Sequence, residues 1–136
     1  MHDLDSLRTL AVQAAHQAYA PYSNLRVGAA LRSAAGHAYT GCNVENASYP
    51  VGGCAERAAI AAAVQAEGPG FRLQAIAVAA FGSDGAALPV SPCGACRQSL
   101  IEFGADAAVT FRQSDDSWLE VKAGELLPFR FILPSR

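Results

Sequence analysis

The spacing of apolar and polar positions divides the chain into helical and extended stretches. Over residues 4–18, Leu4, Leu7, Ala11, Ala14, Ala15 and Ala18 recur at about the 3.6-residue helical period, which predicts a helix that Asp3 or Asp5 can cap. Past a turn-rich segment at 19–24, residues 26–33 and 37–44 predict two strands of a hairpin around a turn at 34–36. Residues 54–66, CAERAAIAAAVQA, are rich in the best helix former and are stopped by Gly68-Pro69. They are apolar almost all round, which predicts a buried helix. Residues 73–81, LQAIAVAAF, form a near-continuous apolar run, as a strand covered on both faces does. A loop from Gly82 leads to Pro92, a second helix is predicted over 94–103, and strands follow at 107–111 and 118–121, separated by a turn at 113–116. Five strands interleaved with helices indicate an α/β sandwich on a mixed five-stranded sheet.

Composition narrows the function. A chain of 136 residues suits one domain spanning 1–136, and 51% hydrophobic residues can fill a core. The charged fraction, 16%, is low for an isolated monomer and points to surface covered in an oligomer. With a net charge of -2 and no Lys/Arg cluster, a nucleic-acid binder is disfavoured and a small-molecule partner fits better. No apolar run approaches the roughly 20 residues that span a bilayer, so no membrane partner is expected. The start, MHDLDSLRTL, lacks the basic and apolar regions of a signal peptide, so a cytoplasmic location is expected. Four cysteines in such a chain argue for metal or catalysis; in a secreted chain, two disulfides would be the default.

Two short motifs carry the chemistry. Pro92-Cys93-Gly94-Ala95-Cys96 opens the second helix, where cysteines three apart share one face and can chelate one ion. Pro92 sits where its missing N–H is harmless, and Gly94 is expected to leave room beside the sulfurs. A lone C-x-x-C also serves redox motifs and zinc knuckles. Cys54-Ala55-Glu56 adds a third thiolate and a carboxylate. Two residues apart in a regular helix, Cys54 and Glu56 would face different ways, so Cys54 must stand at the irregular start, where Gly52-Gly53 is expected to permit the turn. Three cysteines with a free carboxylate match the open zinc sites of catalysts rather than the four-ligand structural ones. Three His/Cys ligands, a glutamate that is not a ligand, and P-C-x-x-C form the known signature of zinc deaminases. Three thiolates leave zinc a poor Lewis acid unless two helix N-termini and Arg57 offset their charge. Cys42 is expected to be a small buried hydrophobe rather than a fourth ligand, and His2, His16 and His37 are not expected to bind metal.

With these motifs in place, the chain resembles the short, homotetrameric class of cytidine deaminases. The stretches that carry the resemblance are APYSNLRVGAAL (20–31), GCNVENASY (41–49), CAER (54–57) and SPCGACRQ (91–98), in the family's order along nearly the whole chain. The resemblance implies a three-layer α/β/α sandwich. It also implies one Zn²⁺ per subunit on Cys54, Cys93 and Cys96, a homotetramer with active sites at subunit boundaries, and conversion of cytidine and deoxycytidine to uridine and deoxyuridine in pyrimidine salvage. Asn43 and Glu45 look like the pair that grips the ribose 3'-hydroxyl, a role that amide and carboxylate fill as donor and acceptor; loop capping is their alternative. The resemblance gives the Ala55 backbone to the pyrimidine edge and the Ser91 carbonyl to the departing amine. It sets Tyr49 at a subunit boundary, and Phe131, or alternatively Phe129, over the base of a neighbouring subunit. Leu25 departs from the pattern, standing where the family often has Phe; it keeps the apolar contact but loses ring stacking.

The mechanism so implied has Glu56 take a proton from the attacking water, pass it to ring nitrogen 3 and assist loss of the amino group. Competing functions are deamination of another heterocycle such as blasticidin S, polynucleotide deamination, a zinc-stabilised binding module and thiol redox chemistry. The first is disfavoured by Asn43-Val44-Glu45-Asn46, the second by charge and brevity. The third leaves Glu56 without a role. Bound zinc and inertness to disulfide reagents would exclude the fourth.

Overall fold

The computed structural model describes residues 4–135, so Asp3 and His2 lie outside the described residues. In chain order its elements are α1 (Leu4–Ala15), β1 (Arg26–Ser33), β2 (Ala38–Cys42), α2 (Ala55–Glu67), β3 (Leu73–Phe81), β4 (Ala87–Leu88), α3 (Gly94–Phe103), β5 (Ala108–Arg112), β6 (Trp118–Lys122) and α4 (Ala123–Leu126). The sheet runs β2-β1-β3-β5-β6, with two-residue β4 added to β3 at one end. Among the described strands β3 and β5 run parallel, β1 is antiparallel to β2 and β3, and β6 is antiparallel to β5. This is the expected mixed sheet, with five main strands and one short peripheral strand.

Strand alternation sorts β3 between two apolar clusters. Ile76, Val78 and Ala80 join Ala55, Ala59 and Ile60 of α2 and Leu100 and Ile101 of α3. Ala75, Ala77, Ala79 and Phe81 join Leu4, Leu7, Ala11 and Ala15 of α1. The continuous apolar run of β3 therefore serves both faces of a three-layer sandwich. Close approach demands glycine on each face. A Cβ on Gly28 would lie 2.1 Å from the Ala11 carbonyl oxygen on α1, and one on Gly41 would lie 2.5 Å from the Ala59 nitrogen on α2.

Several expectations are corrected. Helix α1 ends at Ala15 because the chain turns away to a bridge in which the Tyr19 N–H donates to the Asn43 carbonyl at 3.1 Å. Asp5 lies inside the first turn and pairs with Arg8 at 2.9 Å. Helix α2 is not buried all round: Ala58, Ala61, Ala62 and Ala66 are exposed in the single chain. Strand β2 stops at Cys42, and Val44 makes only isolated bridges to Tyr19 and Gly53. Gly68 closes α2 as expected, at φ +78 with its N–H on the Val64 carbonyl. Among the described residues no helix is long and apolar enough to cross a membrane.

Candidate active site

Two helix starts meet at one end of the sheet. Cys54 is the N-cap residue of α2 and Cys93 that of α3, both with extended backbones (φ -81, ψ 154 and φ -67, ψ 168). Each cap carbonyl accepts the first helical bond, from the Ala58 N–H at 3.2 Å and the Arg97 N–H at 2.9 Å. The irregular start required for Cys54 and Glu56 to face one centre is thus present. It does not depend on glycine conformations: neither Gly52 nor Gly53 has a positive φ. Gly94 has open space where its Cβ would be, so no crowding at the sulfurs demands it. The entry to α2 is instead fixed by a two-way bridge, in which the Val44 N–H donates to the Gly53 carbonyl at 3.1 Å and the Gly53 N–H to the Val44 carbonyl at 3.0 Å.

The sulfurs of Cys54, Cys93 and Cys96 all lie within 4.8 Å of one another, and Cys54 and Cys93 are 3.9 Å apart. A tetrahedral zinc with Zn–S bonds of about 2.3 Å sets its sulfurs about 3.8 Å apart, so the donor set fits. Cys96 is fully buried and Cys93 exposed, so one thiol of the group is closed off from solvent while another is open to it. Cys42 is half-buried rather than buried and is not one of this group. His16 stacks on Phe81 at 5.3 Å and His37 sits at the hairpin turn, away from the thiols.

Burial and close neighbours together set the charge of these groups. Glu56 is 4% exposed, and burial lifts its carboxyl above the usual range against the pull of its own N–H, the Cys96 thiol and Arg57. Burial, followed by the charges of Glu56 and Cys54, pushes the Cys96 thiol far up. Burial also resists ionisation of Cys93, but the Cys96 backbone N–H and the neighbouring thiols outweigh it and bring that thiol below its ordinary value. Arg57 directs Nη2 to the Cys54 sulfur at 3.8 Å, where its positive charge opposes the accumulation of thiolate. Three thiols crowded here resist ionising together, and a divalent cation at their centre inverts that balance.

A cavity of about 290 Å³ opens above the thiols. Glu56, Cys54 and Cys93 form its floor, Leu25, Val27 and Val90 its apolar walls, and Asn43, Glu45, Ala55 and Ser91 its polar lining. Nine expected site residues therefore converge there or, for Cys96, directly beneath, and Arg57 stands beside them. Phe131 does not reach this cavity. It is 68% exposed on the C-terminal segment, where its backbone pairs with the Gln98 side chain, its N–H donating at 3.3 Å and its carbonyl accepting at 3.1 Å. Phe129 is 98% exposed, and Tyr49 is 75% exposed beside a second hollow that shares Glu45 and Gly52.

Some supporting residues carry no motif of their own in the sequence. Val27 and Val90 wall the cavity, and Arg97 holds its rim by donating to the Pro92 carbonyl at 2.7 Å, the Leu126 carbonyl at 3.0 Å and the Ser91 hydroxyl at 3.2 Å. The position of Arg97, four after Cys93 on the same helix face, was an available signal.

Residues 1–112 match the sequence model of the cytidine and deoxycytidylate deaminase zinc-binding region. The chain belongs to the cytidine deaminase family. It is accordingly a zinc-binding enzyme of the hydrolytic deaminases. A cytidine deaminase of Sporosarcina psychrophila is 44% identical over 101 residues, covering 74% of this chain and 70% of the relative. One from Mycobacterium tuberculosis is 42% identical over 129 residues, covering 95% and 90%. The crystal structure of cytidine deaminase from Burkholderia pseudomallei superposes with a TM-score of 0.82 at 42% identity, over 96% of this chain and all of that one.

Proposed function

We propose that this deaminase hydrolyses cytidine and deoxycytidine to uridine and deoxyuridine and serves pyrimidine salvage, with one Zn²⁺ held by Cys54, Cys93 and Cys96. The observation that carries the proposal is a buried carboxyl, Glu56, beside three converging thiols on the floor of a nucleoside-sized cavity. Zinc bound there supplies Lewis acidity that makes water a nucleophile near neutral pH. Glu56 is the proton carrier. Its place on the cavity lining beside the three thiols suits it to take a proton from water, deliver it to ring nitrogen 3 and then assist departure of the amino group as ammonia. The Ala55 backbone meets the pyrimidine edge, the Ser91 carbonyl receives the leaving amine, and Leu25 lies against the ring.

Asn43 and Glu45 grip the ribose hydroxyl while also bracing their own loop, so the two roles are joined. The Asn43 carbonyl oxygen accepts from the Val27 N–H at 2.7 Å, and its amide donates to the Leu25 carbonyl at 2.8 Å. That leaves one N–H and one lone pair for a ligand. Among the described residues neither the cavity nor the adjoining hollow is lined by Lys, Arg or His, and Glu45 stands at their junction. A 5'-phosphate finds no cation there, which favours nucleosides over nucleotides.

The proposal includes assembly of the 1–136 domain into a homotetramer, with Phe131 of one subunit reaching the site of another. The exposed apolar side chains of Phe129, Phe131, Ile132 and Leu133 and the exposed alanines of α2 support it. Free cysteines at a zinc centre suit the reducing cytoplasm. The test is ultraviolet measurement of cytidine, deoxycytidine and deoxycytidylate loss by the zinc-loaded protein and by Glu56→Gln. The expected result is turnover of both nucleosides, little of the nucleotide, and none by the zinc-replete variant. Normal turnover by Glu56→Gln refutes the assignment.

A further inference from the structure

Leu25, which walls the cavity, is held at both backbone groups by side chains. Its carbonyl accepts from Asn43, and its N–H donates to the Ser23 hydroxyl at 3.0 Å. The same hydroxyl donates to Glu45 Oε2. The other carboxylate oxygen, Oε1, accepts from the Tyr22 N–H at 3.0 Å and the Ser23 N–H at 3.1 Å. Between Ser23 and Leu25 the chain passes through Asn24 at φ +60, a left-handed turn that an asparagine tolerates. This turn brings the Leu25 N–H back onto the hydroxyl two residues before it. Ser23 therefore joins the carboxylate at the ribose end of the cavity to the wall at its base end.

We propose that Ser23 is a positioning residue of the nucleoside site, its hydroxyl fixing the Glu45 carboxylate and the Leu25 backbone in the arrangement that receives the substrate. This rests on Glu45 as the ribose-hydroxyl acceptor. A carboxylate offers about four lone-pair sites. Three are taken by Ser23 and Tyr22, so the fourth has a defined direction. The Ser23 hydroxyl, against burial and with the Ser23 and Tyr22 N–H groups, also holds the Glu45 carboxyl below its ordinary value. Without the hydroxyl, Oε2 is free to rotate and the Leu25 N–H loses its acceptor. Ser23 touches no reacting atom, so the loss falls on substrate and transition state alike and is read in KM rather than kcat.

The experiment compares wild type, S23A, S23T, E45A and S23A/E45A as zinc-loaded enzymes on deoxycytidine and 2',3'-dideoxycytidine. Ser23 is exposed, so its variants keep the fold, which thermal melts verify. S23A is expected to raise KM for deoxycytidine about 10-fold, the scale of one charge-assisted hydrogen bond, with kcat nearly unchanged. S23T, which keeps the hydroxyl, restores KM. The S23A penalty shrinks on the dideoxynucleoside, and S23A/E45A is little worse than E45A. If E45A raises KM while S23A does not, the Ser23 proposal fails and the Glu45 assignment stands. If E45A leaves KM unmoved on both substrates, the ribose assignment itself fails and takes Ser23 with it. A fall in kcat at constant KM, or a penalty equal on both substrates and additive with E45A, also overturns the positioning role.

Discussion

Replacing Gly41 by alanine should loosen zinc without touching a ligand. Gly41 lies on β2 beneath α2, and an added Cβ would stand 2.5 Å from the Ala59 nitrogen, 2.6 Å from the Ala55 carbonyl oxygen and 2.8 Å from the Ala58 Cβ. Ordinary contact for carbon begins near 3.5 Å, so α2 must withdraw by about 1 Å. Two of the three obstructing atoms are helix backbone, so no side-chain rotation relieves the clash. Helix α2 brings Cys54, Ala55 and Glu56 to the site, whereas Cys93 and Cys96 come from α3. A displacement of about 1 Å between these groups is large against the roughly 0.2 Å tolerance of zinc–ligand distances. In catalysis such a misplacement is worth about 10²-fold. Overpacking of this kind costs about 1–3 kcal/mol of stability. The assay is zinc per chain after dialysis against a zinc buffer, beside urea unfolding and kcat for cytidine. Gly28→Ala is the control: its clash, 2.1 Å from the Ala11 oxygen, falls on the α1 face. It should destabilise the fold at least as much yet bind zinc normally. Gly41→Ala with wild-type zinc affinity and kcat would refute the reasoning.

Three further outcomes are expected. Cys96→Ser removes a fully buried thiol, so added zinc should raise the unfolding midpoint of the wild type but not of the variant, as a denaturant titration checks. Phe71→Ala empties the largest fully buried side-chain site and should cost about 3–5 kcal/mol while leaving zinc stoichiometry intact, which calorimetry and metal analysis together report. Glu67 is held below its ordinary carboxyl value by the Ser33 hydroxyl at 2.7 Å, against its burial, with help from the Tyr39 hydroxyl at 2.9 Å and from His37. A depressed folded-state value contributes stability that is present above the unfolded value of 4.5 and is lost as pH falls through the folded one. The gap in melting temperature between wild type and Glu67→Gln should therefore be full at neutral pH and close in acid.

Elements with strong periodicity were legible in the sequence. Strands β1 and β3 and helix α3 have the bounds that their patterns predict, because long apolar runs and the Pro92 and Gly104 boundaries leave few alternatives. Strand β4 and helix α4, two and four residues long, are too short to display a period. Helix α2 misleads because alanine fills both its faces: Ala59 and Ala63 are buried while Ala58 and Ala62 are exposed, and nothing in the residue type distinguishes them. The thiol cluster and Glu56 were legible because each motif fixes its own local geometry. The bracing of Glu45 by Tyr22 and Ser23 was not, because it joins segments more than twenty residues apart through backbone groups. Cys42 reads as a buried small residue from its strand alone, but it closes an edge strand and is left half-covered.

The central claim is a zinc ion with three sulfur ligands and one open position facing Glu56. Zinc K-edge X-ray absorption on the purified protein tests it directly. The account predicts three sulfur neighbours at about 2.3 Å and one oxygen neighbour at about 2.0 Å. Four sulfurs around the ion, with Cys42 completing a closed site, would contradict it.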